Sequence, residues 1–188
     1  KRTNATHRSR TDPDCRFASK GSSGTGAHPG YTVNALMENR HRFLLGLGVE
    51  VFRSSASETE GGVHLLDRAL RRLGYEPTTY GADKGFFNAN LIRTLLERRI
   101  APHIATDPRP RQPEHSNVRM RARGLGYKLS QRARKKIEEL FGEAKDWHGL
   151  RRFRRRGLAR VRQETLLIGW VLNLKRLARA LEMRSATA

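Results

Sequence analysis

Asp83 lies in the run Thr79-Tyr80-Gly81-Ala82-Asp83-Lys84-Gly85-Phe86-Phe87, where the pattern of a short strand gives way to that of a helix. Glu138 follows 55 residues later, in a segment dense in Arg and Lys. A carboxylate at a strand end and a second one on a cationic helix make a donor set suited to work on phosphates. Hard cations such as Mg²⁺, or Mn²⁺ in its place, take carboxylate oxygens together with substrate phosphate oxygens. Two such ions can clamp the attacking and leaving oxygens of a phosphoryl displacement. Two carboxylates fall short of holding both ions.

The helix that carries Glu138 also carries Glu139 and Glu143. At roughly 100° per residue, Ile137, Leu140, Phe141 and Ala144 gather on one side and face a core. Arg134, Glu138 and Lys145 fall within about 40° of one another along one edge of that side, while Glu139 and Glu143 point away. An edge position holds a side chain firmly yet lets it reach a cleft, where Arg134 and Lys145 could bind phosphate oxygens beside a metal. The competing reading is a solvated helix with an Arg134–Glu138 pair one turn apart. Asp83 has a competing reading too, as the cap of a turn amide, against the tendency of functional residues to gather at the carboxyl ends of strands. Lys84 either contacts phosphate or is merely solvated. His103 and His64 read as packing or hydrogen-bonding residues, Trp170 as core, and Asp67 as part of an ion-pairing surface.

Lys and Arg number 38 against 18 Asp and Glu, a net charge of +20 over 188 residues. Such an excess predicts a polyanionic partner, because neutralising phosphates releases condensed counterions. The charge is uneven: residues 119–162 hold 16 Lys or Arg against 4 acids, +12 of the +20. Arg151, Arg152, Arg154, Arg155 and Arg156 are its densest run. The single cysteine, Cys15, excludes an internal disulfide and any multi-cysteine zinc site. The longest apolar stretch, Leu166 to Leu174, is too short to span a bilayer. The expectation is a cytoplasmic protein that faces nucleic acid, with no membrane partner.

Residues 1–30 are polar and read as an extended segment without periodicity. Strands are expected over 31–37 and 42–52, then a helix over 58–73 with Ser57 as its N-cap and Gly74 as its end. A strand over 77–82, a helix over 88–100 and a strand over 102–106 follow. Residues 107–128 carry three prolines and six basic residues and read as a basic loop. Helices over 129–147 and 161–181 complete an α/β order, the last mostly apolar and buried against a sheet.

Several separated motifs closely resemble bacterial insertion-sequence transposases of the DDE class. They are Thr11-Asp12-Pro13-Asp14, His28-Pro29-Gly30-Tyr31, Ala35-Leu36-Met37-Glu38-Asn39-Arg40-His41, Gly81-Ala82-Asp83-Lys84-Gly85-Phe86 and Ala101-Pro102-His103. The stretch Ser130 to Gly142, then Gly149-Leu150-Arg151-Arg152 and Arg156 to Val161, continues the likeness to about residue 180. The resemblance implies an RNase-H-like mixed sheet with flanking helices over 31–182, followed by a tail at 183–188. It also implies three acids holding two Mg²⁺ ions for DNA strand cleavage and strand transfer at insertion-element ends. Asp83 matches the second acid and Glu138 the third, within a signature of Tyr, Arg, Glu and Lys at fixed spacing. Arg134 and Lys145 match that signature, but its Tyr position is Gln131, and Tyr127 is out of register.

The family's first Asp stands on a first strand upstream of the Thr-Asp-Pro-Asp segment, and that strand has no counterpart here. Asp12 and Asp14 match a different part of the pattern. The resemblance therefore implies the C-terminal part of a transposase, inactive alone, whose complete form binds DNA as a homodimer or higher assembly. Two alternatives are a non-catalytic basic nucleic-acid-binding protein and an RNase-H-like nuclease without strand transfer. On any of these readings DNA affinity falls steeply as salt rises. Replacing Arg151, Arg152, Arg154, Arg155 and Arg156 by Ala should lower both affinity and the slope of log K against log salt, measured by fluorescence anisotropy. An unchanged slope would remove this run from the phosphate-binding surface.

Overall fold

The computed structural model describes residues 4–18, 28–52, 55–109 and 112–185. Its elements run β1 (Arg16–Ala18), β2 (His28–Met37), β3 (Leu44–Val51), α1 (Ser55–Leu73), β4 (Thr79–Ala82), a 3-10 turn at Lys84–Phe86, α2 (Ala89–Glu97) and β5 (Ala101–Ile104). Three helices follow: α3 (Pro113–Arg121), α4 (Leu125–Trp147) and α5 (Leu158–Ser185). The chain is a mixed α/β protein.

β2 and β3 form an antiparallel hairpin in register from Tyr31 opposite Val51 to Leu36 opposite Gly46, and β1 pairs with the start of β2. Glu38 closes the hairpin turn: its carboxylate accepts from the amides of Arg40, His41 and Phe43. β4 and β5 form a separate parallel pair, Thr79 opposite Ala101 through Ala82 opposite Ile104. Their side chains are buried with Leu66 of α1, Leu91, Ile92 and Leu95 of α2 and Val118 of α3. A second cluster joins the hairpin to the last two helices through Leu44, Leu140, Ala144, Ile168 and Leu172.

Several expectations need correction. Residues 107–128 are not a continuous loop, because α3 occupies Pro113–Arg121 and α4 begins at Leu125. Pro113 stands at the first helical position, where its missing N–H costs nothing, and His115 and Val118 supply a buried face. Within residues 1–30, expected as an extended segment, Arg16–Ala18 and His28–Gly30 pair as strands; residues 1–3 and 19–27 lie outside the described set. α5 is buried along one face only, through Val161, Thr165, Ile168, Gly169 and Leu172. Trp170 is not core: it is 71% exposed. Ser57 lies inside α1, which starts at Ser55.

Two long-range devices fix α5. At its start, the Gly157 amide donates to Asp12 Oδ1 (3.2 Å) and the Leu158 amide to Asp14 Oδ2 (2.9 Å). Carboxylates thereby satisfy helix amides that have no partner within the helix, with a favourable dipole interaction. Tyr31 Oη donates to the same Asp12 oxygen at 2.7 Å. Asp12 and Asp14 are thus held as struts of α5. Farther along, Asn173 takes both backbone groups of Leu44, accepting from its amide (2.8 Å) and donating to its carbonyl (3.0 Å), while Arg162 Nε donates to Val49 O (3.1 Å). These side chains satisfy backbone groups of β3 that would otherwise invite pairing with another chain. Asn173→Ala should lower stability by about 2 kcal/mol, since both backbone groups lose their partner, read as a fall in Tm of about 4–8 °C. An unchanged Tm would show that solvent serves Leu44 equally well.

Candidate active site

The carboxyl ends of β4 and β5 point the same way, and each leads to an acid. Asp83 immediately follows β4, and its Oδ1 accepts from the Gly85 amide at 2.9 Å, capping the 3-10 turn. Asp107 comes three residues after β5. Its two oxygens are fully engaged: Oδ1 accepts from the Arg109 amide (3.0 Å) and Nε (3.1 Å), and Oδ2 meets Arg109 Nη2 (2.7 Å) and Lys84 Nζ (3.2 Å). The side chain is 10% exposed, and the Arg109 hydrogen bonds, with Lys84 adding, hold the carboxyl far below the ordinary range. Arg119 of α3 donates to the Asp107 carbonyl at 2.7 Å. Asp107 thus gathers β4, β5 and α3 into one corner. Sequence reasoning missed it, although the strand-end criterion that selected Asp83 applies equally to Asp107. Lys84, expected at phosphate, is here the ion-pair partner of Asp107.

α4 lies across these strand ends. Tyr127 Oη donates to Ile104 O at 3.1 Å, and Gln131 Nε2 donates to both Ala82 O (3.3 Å) and His103 O. A Cβ on Gly81 would stand 3.1 Å from Ser130 Oγ, so the absence of a side chain there lets α4 settle on β4. Gln131 Oε1 accepts from Arg134 Nε (3.1 Å), and Arg134 Nη1 donates to Glu138 Oε1 (2.7 Å). An unbroken hydrogen-bonded series therefore runs from the carbonyl beside Asp83 through Gln131 and Arg134 to Glu138. Gln131, where the resemblance leads one to expect a Tyr, thus bridges two strand carbonyls. His103 is buried against the Tyr127 ring, centroids 5.8 Å apart, as a packing residue. Burial, with Arg121 nearby, lowers its pKa.

The i,i+4 pairing of Arg134 with Glu138 is present, and the Glu138 side chain remains 61% exposed. Glu139 instead pairs with Arg42 of the hairpin (2.9 Å). Glu143 binds Lys175 and, at 3.1 Å, Arg176 of α5. Lys145 lies 5.8 Å from the Phe141 ring centre. Asp67 of α1 pairs with Arg98 at the end of α2.

The basic run between α4 and α5 is shaped at both ends by glycines with positive φ, Gly149 (+77°) and Gly157 (+82°), a conformation L side chains rarely adopt. The Leu150 amide returns to Ala144 O at 3.0 Å and closes α4. Glu164 accepts from the amides of Arg154 (3.0 Å) and Arg155 (3.1 Å), so the loop is braced by its backbone. Arg151 pairs with Asp146 at 2.6 Å. The side chains of Arg152, Arg154, Arg155 and Arg156 are exposed and meet no acid among the described residues.

Glu143 shows how electrostatics ties α4 to α5. Burial alone would raise its pKa, but hydrogen bonds from Lys175 and Arg176 outweigh burial and lower it below 4.5. A depressed carboxylate pKa contributes stability that is fully present above the unfolded value and is lost as pH falls through the folded one. Glu143→Gln should cost about 1–2 kcal/mol at neutral pH. Thermal unfolding from pH 7 down to pH 3 should show the gap between variant and parent closing below pH 4.5. A gap independent of pH would remove charge from the explanation.

The profile of the family described as Transposase DDE domain matches residues 3–174. Neither the curated proteins nor the solved structures contain a match to the chain.

Proposed function

The chain belongs to the family of transposases with a DDE domain, and we propose that β4, β5 and α4 form the catalytic corner of an RNase-H-like domain over 31–182, preceded by the extended segment 1–30. The substrate is DNA, cut and joined at insertion-element ends. The observation that carries this reading is the hydrogen-bonded series from Ala82 through Gln131 and Arg134 to Glu138. It couples the strand end bearing Asp83 to the helix bearing Glu138. The edges agree with such a fold. Among the described residues, 31–37 of β2 pair only with β3 and β4 pairs only with β5. A strand seated between β2 and β4 would merge the two sheets into one mixed sheet with Asp83 near its middle.

Asp83 and Glu138 would hold Mg²⁺ or Mn²⁺. The donor chemistry fits, because both are carboxylates with one oxygen engaged among the described residues, Asp83 by an amide and Glu138 by Arg134. When bound, the ion supplies charge stabilisation at phosphate oxygens. Arg134 fixes the rotamer of Glu138, and Gln131 fixes Arg134. Arg152, Arg154, Arg155 and Arg156 bind the DNA backbone, a role that positions the duplex without reading its sequence. Lys145 and Arg151 extend that surface, and Lys84 joins it if its pair with Asp107 opens.

A second reading, a basic binding protein without catalysis, draws on the structural duties of both acids: Asp83 caps a turn and Glu138 pairs within its own helix. Metal binding separates the two. Mn²⁺ titration of residues 1–188, followed by electron paramagnetic resonance, should show weak binding that Asp83→Asn or Glu138→Gln abolishes while DNA affinity survives. The same chain should bind DNA without nicking or joining it in Mg²⁺, because two carboxylates do not complete a two-ion clamp. Mn²⁺ binding that is absent, or unchanged in both variants, would favour the second reading.

A further inference from the structure

Lys84 and Arg109 converge on one carboxylate oxygen at the ends of the parallel strands. Lys84 Nζ stands 3.2 Å and Arg109 Nη2 2.7 Å from Asp107 Oδ2, while Arg109 Nε reaches Oδ1 at 3.1 Å. The two cations come from different connections, Lys84 from the turn after β4 and Arg109 from the segment after β5. Both stay open to solvent, 56% and 81% exposed, whereas the carboxylate between them is 10% exposed. Two cations aimed at one shared oxygen, one of them through a two-pronged guanidinium, make the arrangement that grips a phosphate. The backbone at Asp107 has ties of its own. Arg119 donates to the Asp107 carbonyl at 2.7 Å, and the Ala105 amide donates to Ala82 O at 2.9 Å, two residues before Asp107. The carboxylate can therefore leave while the frame that presents Lys84 and Arg109 stays.

We propose that Lys84 and Arg109 form a binding site for a nucleic-acid phosphodiester, which Asp107 closes by standing in for the phosphate. The site deepens the DNA-binding reading above and rests on it. Carboxylate and phosphate compete for the same donors, so Asp107 withholds two cations from DNA until a phosphate displaces it. The hydrogen bonds from Arg109 hold the carboxyl far below the ordinary range, so the site opens by exchange of one anion for another and not by proton uptake near neutral pH. The run 151–156 works differently, since Arg152, Arg154, Arg155 and Arg156 have no acid to release among the described residues. A phosphate seated on Lys84 lies at the strand end that carries Asp83, its neighbour in the chain.

Fluorescence anisotropy with a duplex of random sequence, over a series of salt concentrations, tests the exchange in residues 1–188. Asp107→Asn removes the charge and keeps an acceptor for the Arg109 amide. It should bind more tightly, with the slope of log K against log salt steeper by about 0.9 per released cation, or about 1.8 for both. Lys84→Ala should then lower the slope by about 0.9 more in Asp107→Asn than in the parent chain, and Arg109→Ala likewise. An unchanged slope in Asp107→Asn would overturn the proposal. So would equal losses from Lys84→Ala in both backgrounds, which would reduce Asp107 to a source of long-range repulsion. Asp107→Ser is read in the same way if far-UV circular dichroism shows that Asp107→Asn has unfolded. Loss of the fold in both variants would make Asp107 a strut and overturn the closing role. A parent chain that binds no DNA would overturn the DNA-binding reading and this site with it, whereas a flat Asp107→Asn slope leaves that reading intact.

Discussion

The corner at β4 and β5 depends on a single side-chain amide. Gln131 spans the carbonyls of Ala82 and His103 on neighbouring parallel strands, which seats α4 on the strand ends and sets the azimuth of everything that follows on that helix. Leu140 and Ala144 then meet the hairpin and α5 in one buried cluster, and the edge holding Arg134 and Glu138 turns out of the core. A short parallel pair has few hydrogen bonds of its own and relies on what covers its ends and faces. Tyr127 on Ile104 and Ser130 beside Gly81 complete that cover. A Leu at residue 131 would lose both carbonyl contacts and the orientation of Arg134 together.

Charge is the second constraint. Basic residues, 38 against 18 acids, outnumber their partners, and the fold uses several of the scarce acids as ties between elements. Glu139 joins α4 to the hairpin, Glu143 joins it to α5, Asp67 joins α1 to α2, and Glu114 of α3 meets Arg93 of α2. Many of these pairs are exposed and each contributes little alone. Their placement matters more: the acids are spent on tertiary ties, so the run 151–156 keeps four arginine side chains without an acidic partner among the described residues. Its backbone, braced by Glu164 and by two left-handed glycines, holds those side chains together outside the core.

Local patterning in the sequence reached much of the fold. The alternating strands and the stripes of Leu and Ile placed β2 to β5, α1 and α2 within a few residues, and the i,i+4 spacing of Arg134 and Glu138 was legible as a pair. What escaped depends on partners far away in the chain. Asp12 and Asp14 look like loop acids until the amides of Gly157 and Leu158, 145 and 144 residues later, come to them. Asn173 looks like an interruption in an apolar helix until Leu44 arrives, 129 residues distant in sequence. α3 was hidden by the prolines at 108, 110 and 113, the last of which starts the helix rather than breaking it. Trp170 read as core because apolar density on α5 shows how much of the helix is apolar and not which side the sheet takes.

The occupancy of the carboxylates, taken with their place in the fold, narrows the candidate site further than spacing does. Both oxygens of Glu38, Asp107, Glu143 and Glu164 are engaged by amides or cations. A carboxylate in that state would have to break existing bonds to coordinate an ion. Asp12 and Asp14 keep an oxygen in reserve, but moving either would release the start of α5. Asp83 and Glu138 differ from both groups. They share single-oxygen bonding with Asp67, Glu114, Glu139 and Asp146. They stand apart from those four by lying on the β4 end and on the helix that Gln131 joins to it. Each keeps one oxygen outside the hydrogen bonds described here, each is tethered by the other, and the elements that carry them are joined through Gln131. A ligand already oriented by one bond loses little conformational freedom on taking a metal with its second oxygen. The turn cap on Asp83 and the ion pair on Glu138, which alone read as purely structural, are therefore also the means by which two ligands would be preorganised.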